Sequence, residues 1–222
     1  EPDMNAATLT ARADFEVIAR LVPHRATVLD LGCGDGSLLQ FLRETRGVEG
    51  YGVEIDHDNI VACVRNGVNV IQDDLETGLA DFGDDWFDFV ILSQTLQAMR
   101  HTEVVVDEML RVGRQAIVTF PNFGYWRNRL AVVLGKMPVS ENLPYAWYDT
   151  PNVHLCTIAD FEAFCARRAI HIRGRVILAH GSAVHRMPNL LGQLPVYRFE
   201  RESVQRDMAG GTRPTATGSA RV

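Results

Sequence analysis

The chain has 222 residues and a net charge of -6, with 46% apolar and 23% charged residues. This length and composition are typical of one soluble globular domain with a sizeable core. No apolar run approaches the roughly 18 to 20 residues of a membrane helix, so we expect no membrane span. The amino end carries no secretory signal, and we therefore expect a cytoplasmic location. The acidic balance argues against nucleic acid as the main partner.

The predicted elements begin with an amphipathic helix over residues 10–22, with Thr10 as its cap, after a flexible amino end at residues 1–9. From Pro23 onward, short β-rich runs alternate with helical runs, which indicates a parallel sheet covered by helices. The predicted strands are residues 27–32, 51–55, 68–72, 87–93 and 115–120, and the helices between them are residues 37–46, 58–66 and 103–112.

The pattern changes after residue 120. Residues 121–156 contain four prolines among many aromatic residues, which predicts an insertion or lid rather than a plain crossover. A helix resumes behind Thr157, and two closing strands follow at residues 170–178 and 194–200. The polar, aperiodic residues 202–222 predict a disordered tail, so the predicted domain spans residues 10–201.

The cysteines show no C-x-x-C spacing, and three of them lie in predicted helices or strands. We therefore expect free thiols in a reducing compartment rather than disulfides or a metal site. They are Cys33, Cys63, Cys156 and Cys165.

The stretch VLDLGCGDG, residues 28–36, combines a strand, a glycine-rich turn and the start of a helix. Such a turn brings backbone N–H groups close to a bound ligand. The dinucleotide fingerprint is G-x-G-x-x-G, whereas this loop has the spacing G-x-G-x-G, with Ser37 in the place of the third glycine.

Two carboxylates also disfavour a dinucleotide. Asp30 precedes the first loop glycine by two positions, and Asp35 lies inside the loop. Each contact of such a carboxylate with a diphosphate at roughly 4 Å would cost on the order of 4 kcal/mol at an effective dielectric near 20. S-adenosylmethionine carries no phosphate but has a sulfonium and an ammonium group. The loop therefore favours S-adenosylmethionine.

Acidic residues follow the next two predicted strands. Glu54 comes twenty-two residues after Gly32, a spacing at which an acidic side chain commonly reaches a ribose diol; Asp56 is a less favoured substitute. Asp73 or Asp74 could accept the adenine amino group, and Leu75 could cover the ring. Taken alone, each aspartate fits a solvated turn or a helix cap as well as it fits a ligand site.

The motifs VLDLGCGDG, GVEID, QDDLE and FDFVILSQTLQ together resemble class I S-adenosylmethionine-dependent methyltransferases over residues 25–120. This resemblance implies an α/β, three-layer Rossmann-like fold whose seven-stranded sheet is mostly parallel with an antiparallel last strand. It also implies that the loop and Asp30 hold the methionine part, Glu54 the ribose and Asp74 the adenine. The candidate residues for S-adenosyl-L-methionine or S-adenosyl-L-homocysteine are Asp30, Gly32, Cys33, Gly34, Gly36, Glu54, Ile55, Asp73, Asp74, Leu75 and Ser93.

No catalytic residue is predicted. Methyl transfer needs alignment of donor and acceptor, and it needs a base only when the acceptor must lose a proton. The position after the fourth strand reads SQTLQAM, in which Ser93 and Gln94 are not bases, and His101 is more typical of a surface or cap histidine. The aromatic residues between Phe123 and Tyr148 could wall an acceptor pocket, dock a partner, or form ordinary core under a loop.

A more specific resemblance rests on the runs FPNFGYWRNR and LPYAWYDTPNVH, together with the motifs above. Over residues 10 to about 180 the chain resembles the MetW family of methionine biosynthesis proteins. This resemblance implies a methyltransferase-like partner of homoserine O-acyltransferase, needed for acylation of homoserine, and it implies no known methyl acceptor.

Two main hypotheses follow. In the first, the chain is a regulatory subunit whose S-adenosylmethionine site reports pathway output and whose residues 121–154 dock on the acyltransferase. The residue types that dominate interfaces occur there, namely Tyr125, Trp126, Arg127 and Arg129. In the second, the chain methylates an unidentified small molecule. A nucleic-acid or protein methyltransferase is a weaker third reading.

Overall fold

The computed structural model describes residues 4–77 and 79–201, with the backbone alone for residues 4–12. The strands are β1 (Thr27–Leu31), β2 (Glu49–Glu54), β3 (Val70–Gln72), β4 (Phe87–Ser93), β5 (Gly113–Thr119), β6 (Ile170–Ala179), β7 (Ser182–Ala183) and β8 (Leu194–Arg201). The helices are α1 (Met4–Leu21), α2 (Ser37–Arg46), α3 (His57–Arg65), α4 (Thr102–Val112), α5 (Trp126–Val133), α6 (Ile158–Arg167) and α7 (Pro188–Leu191). Two short 3-10 turns follow β3 and β4, at Leu75–Thr77 and Leu96–Ala98. Among these described helices, none combines the length and the apolar character that a membrane span requires.

One sheet contains all eight described strands, in the spatial order β3-β2-β1-β4-β5-β8-β6-β7. β1 to β5 are parallel to one another, whereas β8 lies between β5 and β6 and is antiparallel to both. The prediction of a mostly parallel sheet with an antiparallel last strand is therefore confirmed. The two-residue β7, paired with β6 at the sheet edge, is an additional short strand beyond the expected seven.

Helices cover both faces of the sheet, which explains the nearly continuous apolar strands. Along β4, Phe89 and Ile91 pack into the core that contains α1, α2 and α3, whereas Val90 and Leu92 pack into the core that contains α4 and α6. This alternation follows from the two-residue period of a strand. The result is the predicted three-layer arrangement.

The first helix differs from the prediction. α1 begins at Met4, so Thr10 lies inside the helix and does not cap it. Residues 4–9 contain no proline or glycine that would end a helix, and the helix continues through them. Residues 1–3 of the predicted flexible amino end, and the predicted tail at residues 202–222, lie outside the described residues.

The segment 121–156 starts and ends at the same place in the fold. Asn122 and Cys156 form an isolated bridge, and Phe123 N donates to the Cys156 carbonyl oxygen at 2.9 Å. The segment contains α5, a helix that the sequence pattern does not predict. The cap of α6 agrees with expectation, because the Thr157 hydroxyl accepts from the Asp160 N–H at 3.1 Å. Whether the segment acts as a lid stays a prediction.

Candidate functional site

The glycine loop lies where β1 ends and α2 begins, at the edge of the sheet that is formed by the carboxyl ends of the parallel strands. Within the sheet, β1 lies between β2 and β4. Ligands of open α/β sheets bind in crevices at this edge. All three loop glycines have positive φ angles, of 64° at Gly32, 55° at Gly34 and 77° at Gly36. A side chain at Gly32 would meet Thr95 at 2.8 Å, but at Gly34 it would meet nothing within 4 Å. Gly34 therefore forms the open rim of the loop.

Glu54 connects the end of β2 to this loop. Its carboxylate accepts hydrogen bonds from the backbone N–H groups of Gly34 at 2.8 Å, Ile55 at 2.9 Å and Asp56 at 3.0 Å. The side chain is only 7% exposed, and the three donors compensate its burial. The beginning of the next turn joins the same region, since Asp73 N donates to the Glu54 carbonyl oxygen at 3.2 Å. The structure thus brings Glu54, the loop and the end of β3 together.

Asp30 is a buried carboxyl group next to the loop. It is 2% exposed, and its Oδ1 atom has no hydrogen-bond partner among the described residues. Burial, and to a lesser extent the charge of Glu54, raises the pKa of the Asp30 carboxyl to about 8. An unpaired buried carboxyl group of this kind is suited to receive a cationic group.

The two aspartates after β3 make local turn contacts. Asp73 accepts from the Asp74 N–H at 2.8 Å, and Asp74 accepts from the Glu76 N–H at 2.9 Å. These contacts match the turn alternative, although both residues also lie at the same edge as Glu54. Leu75 is partly buried against the core, whereas Ile55 is 60% exposed at the rim.

Ser93 at the end of β4 contacts β5, and Gln94, the next residue, contacts α1. The Ser93 hydroxyl lies 3.1 Å from the Thr119 hydroxyl, so it is engaged by the neighbouring strand. Gln94 has a positive φ of 53°, and its side-chain N–H donates to Asp14 at 3.2 Å. Asp14 is fully buried, and burial raises its pKa to about 6.

Sequence reasoning missed Asp14. It lies four residues before Ile18 in α1 and therefore falls on the buried face of that helix. The signal in the sequence was an acidic residue at a helix position where the pattern places apolar residues. His101, in contrast, is exposed at the N-cap position of α4 and makes no capping hydrogen bond with its side chain.

Two cysteines lie behind the loop. The Cys33 and Cys63 sulfur atoms are 3.7 Å apart, and the Cys63 thiol donates to the Gly34 carbonyl oxygen at 3.1 Å. Burial raises the pKa of both thiols, so they remain protonated near neutral pH. All four cysteines are free. These thiols therefore support the loop as small packing groups rather than as nucleophiles.

A cavity of about 950 Å³ lies at the opposite edge of the sheet, lined by the residues that begin β1, β4 and β5 and by the end of β8. It contains none of the predicted ligand residues. The candidate site is therefore the open carboxyl edge of the sheet, and this cavity is separate from it.

Comparison with solved structures supports the fold. A SAM-dependent methyltransferase of Thermotoga maritima, described as a possible histamine N-methyltransferase, aligns with a TM-score of 0.64 at 14% identity and covers 89% of this chain and 91% of that one. An S-adenosylmethionine-dependent methyltransferase of Mesorhizobium loti aligns with a TM-score of 0.62 at 16% identity, covering 87% and 100% of the two chains. The [4+2]-cyclase SpnF also aligns, with a TM-score of 0.62 at 15% identity over 86% and 81%. At these identities the similarity establishes the fold alone.

Sequence comparison identifies the family. The family described as Methionine biosynthesis protein MetW matches residues 12–199. The bifunctional methionine biosynthesis protein MetXA/MetW of Rhodopirellula baltica is 37% identical over 209 residues, which cover 88% of this chain and 34% of that protein. The chain thus spans about a third of the length of this curated relative. With its Rossmann-like sheet and its glycine loop, the chain belongs to the MetW family of methionine biosynthesis proteins.

Proposed function

We propose that this chain is an S-adenosylmethionine-binding subunit that supports homoserine O-acyltransferase in methionine biosynthesis. The observation that carries the proposal is the relative in which a MetW part and a MetXA part share one polypeptide. We take the MetXA part to be the acyltransferase. Two proteins that work together gain a high effective concentration when they are joined in one chain, so the fusion supports a physical association of the two activities.

The residues of the candidate site fit S-adenosylmethionine. The unpaired Oδ1 of Asp30 suits the cationic methionine part, and the space above Gly34 leaves room for a ligand against the loop. Glu54 uses three of about four carboxylate lone-pair sites on backbone N–H groups, which leaves capacity for a ribose hydroxyl. Asp74 would take the adenine amino group. When bound, S-adenosylmethionine supplies an activated methyl group and a positive charge.

Ligand binding is tested with two matched glycine variants. Gly34 and Gly135 both have positive φ angles, of 55° and 73°, and a side chain at either would meet nothing within 4 Å. Gly34→Ala and Gly135→Ala therefore carry a similar backbone cost of about 1 to 2 kcal/mol. We expect calorimetric titration with S-adenosylmethionine to show at least about tenfold weaker binding for Gly34→Ala only. Equal affinities in both variants and the parent chain would remove the loop from the site.

The subunit role is tested by enzyme assay. Purified acyltransferase is measured for homoserine acylation with and without this chain, and with the chain plus S-adenosylmethionine. We expect acylation to depend on the chain. An acyltransferase that is fully active alone, and that shows no binding to the chain in calorimetry, would contradict the proposal.

A small-molecule methyltransferase is the second candidate, and Asp14 is the observation that favours it. This buried carboxyl group contacts Gln94, which follows β4 at the position that usually faces a methyl acceptor. Because Asp14 is fully buried, it would act on the acceptor through Gln94, whose side chain it holds in place. This candidate predicts that S-adenosylhomocysteine forms when the chain is incubated with a metabolite pool, and that Asp14→Asn abolishes this product while S-adenosylmethionine still binds.

A further inference from the structure

Helix α5 is packed with its polar side inward. Asn128 is the buried side chain of this helix, at 3% exposure. Trp126, Leu130 and Val133 are 40%, 47% and 81% exposed, and Leu134 directly after the helix is 66% exposed. These four residues have the i, i+4, i+7, i+8 spacing that normally marks the core face of a helix. In α5 this apolar face, which we call the α5 stripe, points to solvent.

Polar contacts fix α5 in this orientation. The Asn128 amide donates to the Asn122 carbonyl oxygen at 3.2 Å, and the Arg129 guanidinium donates to the Gly124 carbonyl oxygen at 2.6 Å. Gly124 lies so close to the body of the protein that an added side chain would come within 2.6 Å of Asn189. Rolling the helix to bury its apolar side would break these contacts. The stripe is therefore held outward by the fold.

More apolar surface lies in the same segment. Trp147 and Tyr148 are each 74% exposed and contact each other edge to face. Since an aromatic side chain covers roughly 150 to 250 Å², Trp126, Trp147 and Tyr148 together expose about 300 to 450 Å². A partner that covered both these aromatic residues and the aliphatic residues of the α5 stripe would bury an area close to the roughly 800 Å² that one partner contributes to a standard interface.

Cations border the stripe. The Arg127 guanidinium lies over the Trp126 ring at 5.4 Å, and neither Arg127 nor Lys136 makes an ion pair with any residue that the structure describes. A cavity of about 290 Å³ opens beside α5, and its lining includes Arg127, Ala131, Val139 and one acidic residue, Glu141. An apolar helix face with a neighbouring cavity and unpaired cations is suited to a partner with an apolar groove and an acidic rim.

We propose that the α5 stripe is the surface on which homoserine O-acyltransferase docks through an apolar groove with an acidic rim. The inference rests on the proposed function and adds the surface to it. A different protein is favoured over a second copy because the relative from Rhodopirellula baltica joins MetXA to MetW in one polypeptide.

The four residues that the sequence suggested for docking differ in their exposure and in their hydrogen bonds. Tyr125 is buried, at 5% exposure, and the guanidinium of the exposed Arg129 is already engaged, because it donates to the carbonyl oxygens of Gly124 at 2.6 Å and Asn189 at 3.4 Å. Trp126 and Arg127 remain exposed. The surface is therefore narrower than residues 121–154, and it is centred on one helix face.

The experiment compares two valine-to-glutamate variants. Val133→Glu places a charge on the α5 stripe, and Val64→Glu places the same charge on α3 at a site that is 66% exposed. Glutamate is a better helix former than valine, so both variants should fold, which thermal unfolding checks. In calorimetry with purified acyltransferase, we expect binding to weaken at least about tenfold for Val133→Glu and to stay unchanged for Val64→Glu. Light scattering reports the oligomeric state of each variant.

The other outcomes distinguish a wrong docking surface from a wrong proposed function. If both variants bind the acyltransferase as the parent chain does, the docking surface is wrong while the proposed function stands. If the parent chain itself does not bind the acyltransferase, the proposed function and the surface are both overturned. If Val133→Glu converts a dimer of this chain to a monomer and leaves acyltransferase binding intact, a second copy occupies the stripe and the proposal is overturned.

Discussion

At the scale of single residues, two carboxyl groups at one site differ because their partners differ. The Glu54 carboxylate accepts hydrogen bonds from three backbone N–H groups, so its charge is compensated although the side chain is buried. Asp30 is equally buried but has an unpaired Oδ1. Without a bound cation, the fold therefore favours the protonated form of Asp30. The Glu54 carboxylate thus holds the glycine loop, and Asp30, two residues before Gly32, has an Oδ1 atom without a hydrogen-bond partner among the described residues.

This difference predicts a pH dependence of stability. The folded chain holds the Asp30 proton up to a pKa of about 8, whereas the unfolded chain releases it near pH 4. Asp30 therefore contributes stability that is fully present below about pH 4 and is lost as the pH rises to about 8. The contribution of Asp14 to stability has the same sign. Because burial raises the pKa of Asp14 only to about 6, its part of the decline ends at a lower pH than the part that comes from Asp30.

Above about pH 7 the decline comes from Asp30 rather than from Asp14, because Asp14 is by then ionised in the folded chain as well. Urea unfolding at pH 6, 7 and 8 should show the unfolding free energy of the parent chain falling by up to about 1.4 kcal/mol per pH unit through this group. Asp30→Asn should remove that part of the slope. An identical slope in the variant would mean that Asp30 ionises normally in the folded chain.

At the scale of elements, one asparagine joins the 121–156 segment to the body of the protein. Asn122 is 1% exposed; its amide donates to the Gly192 carbonyl oxygen at 2.7 Å and to the Asn189 carbonyl oxygen at 3.2 Å. Its side-chain oxygen accepts from the Gly124 N–H at 3.0 Å and the Ile158 N–H at 3.3 Å. This side chain therefore links the turn before α5 to α6 and α7.

Replacement of Asn122 should be costly. Asn122→Ala leaves several buried backbone groups without partners, at about 1 to 3 kcal/mol each, so we expect a loss of about 3 kcal/mol in urea unfolding. Asn66→Ala is the matched control, because the Asn66 amide donates a single hydrogen bond in an exposed position. That control should lose about 1 kcal/mol or less. Similar losses in the two variants would show that Asn122 does not anchor the segment.

At the scale of the whole molecule, the turn at residues 94–100 touches both the candidate ligand site and the segment that carries Trp147. Thr95 packs against Gly32 of the loop, and Arg100 N donates to Glu76 in the turn after β3 at 2.6 Å. On its other side, the Gln97 carbonyl oxygen accepts from the N–H groups of Val153 at 2.9 Å and His154 at 3.0 Å. Direct contacts therefore lead from the ligand edge towards the docking segment.

This arrangement predicts that ligand and partner affect each other. Calorimetry should show the acyltransferase changing the S-adenosylmethionine affinity by the same factor by which S-adenosylmethionine changes the acyltransferase affinity. The Gln97 side chain shapes the turn by donating to the Gln94 carbonyl oxygen at 2.6 Å. Gln97→Ala should therefore bring the factor closer to one, whereas Gln115→Ala, which removes a bond to Glu200 elsewhere, should not. A factor of one in the parent chain would exclude ligand sensing through this turn.

The sequence by itself determined the features that depend on local pattern. The apolar period marked β4 and α2 with the bounds that the structure has, because a strand and a helix each repeat over a few residues. The glycine spacing and the position of Glu54 predicted a loop and a carboxylate that the structure places 2.8 Å apart. Such spacing is sufficient because the ends of neighbouring parallel strands meet at one edge of the sheet.

The tertiary structure decided what each surface faces. A periodic pattern identifies an apolar face but not its partner, so the α5 stripe could be recognised as outward only once Asn128 was seen to be buried. Asp14 and Gln94 are 80 residues apart in the chain, and no local signal pairs them. The insertion of β8 between β5 and β6 likewise depends on contacts between distant segments. Local sequence sets the elements, and long-range packing sets their neighbours.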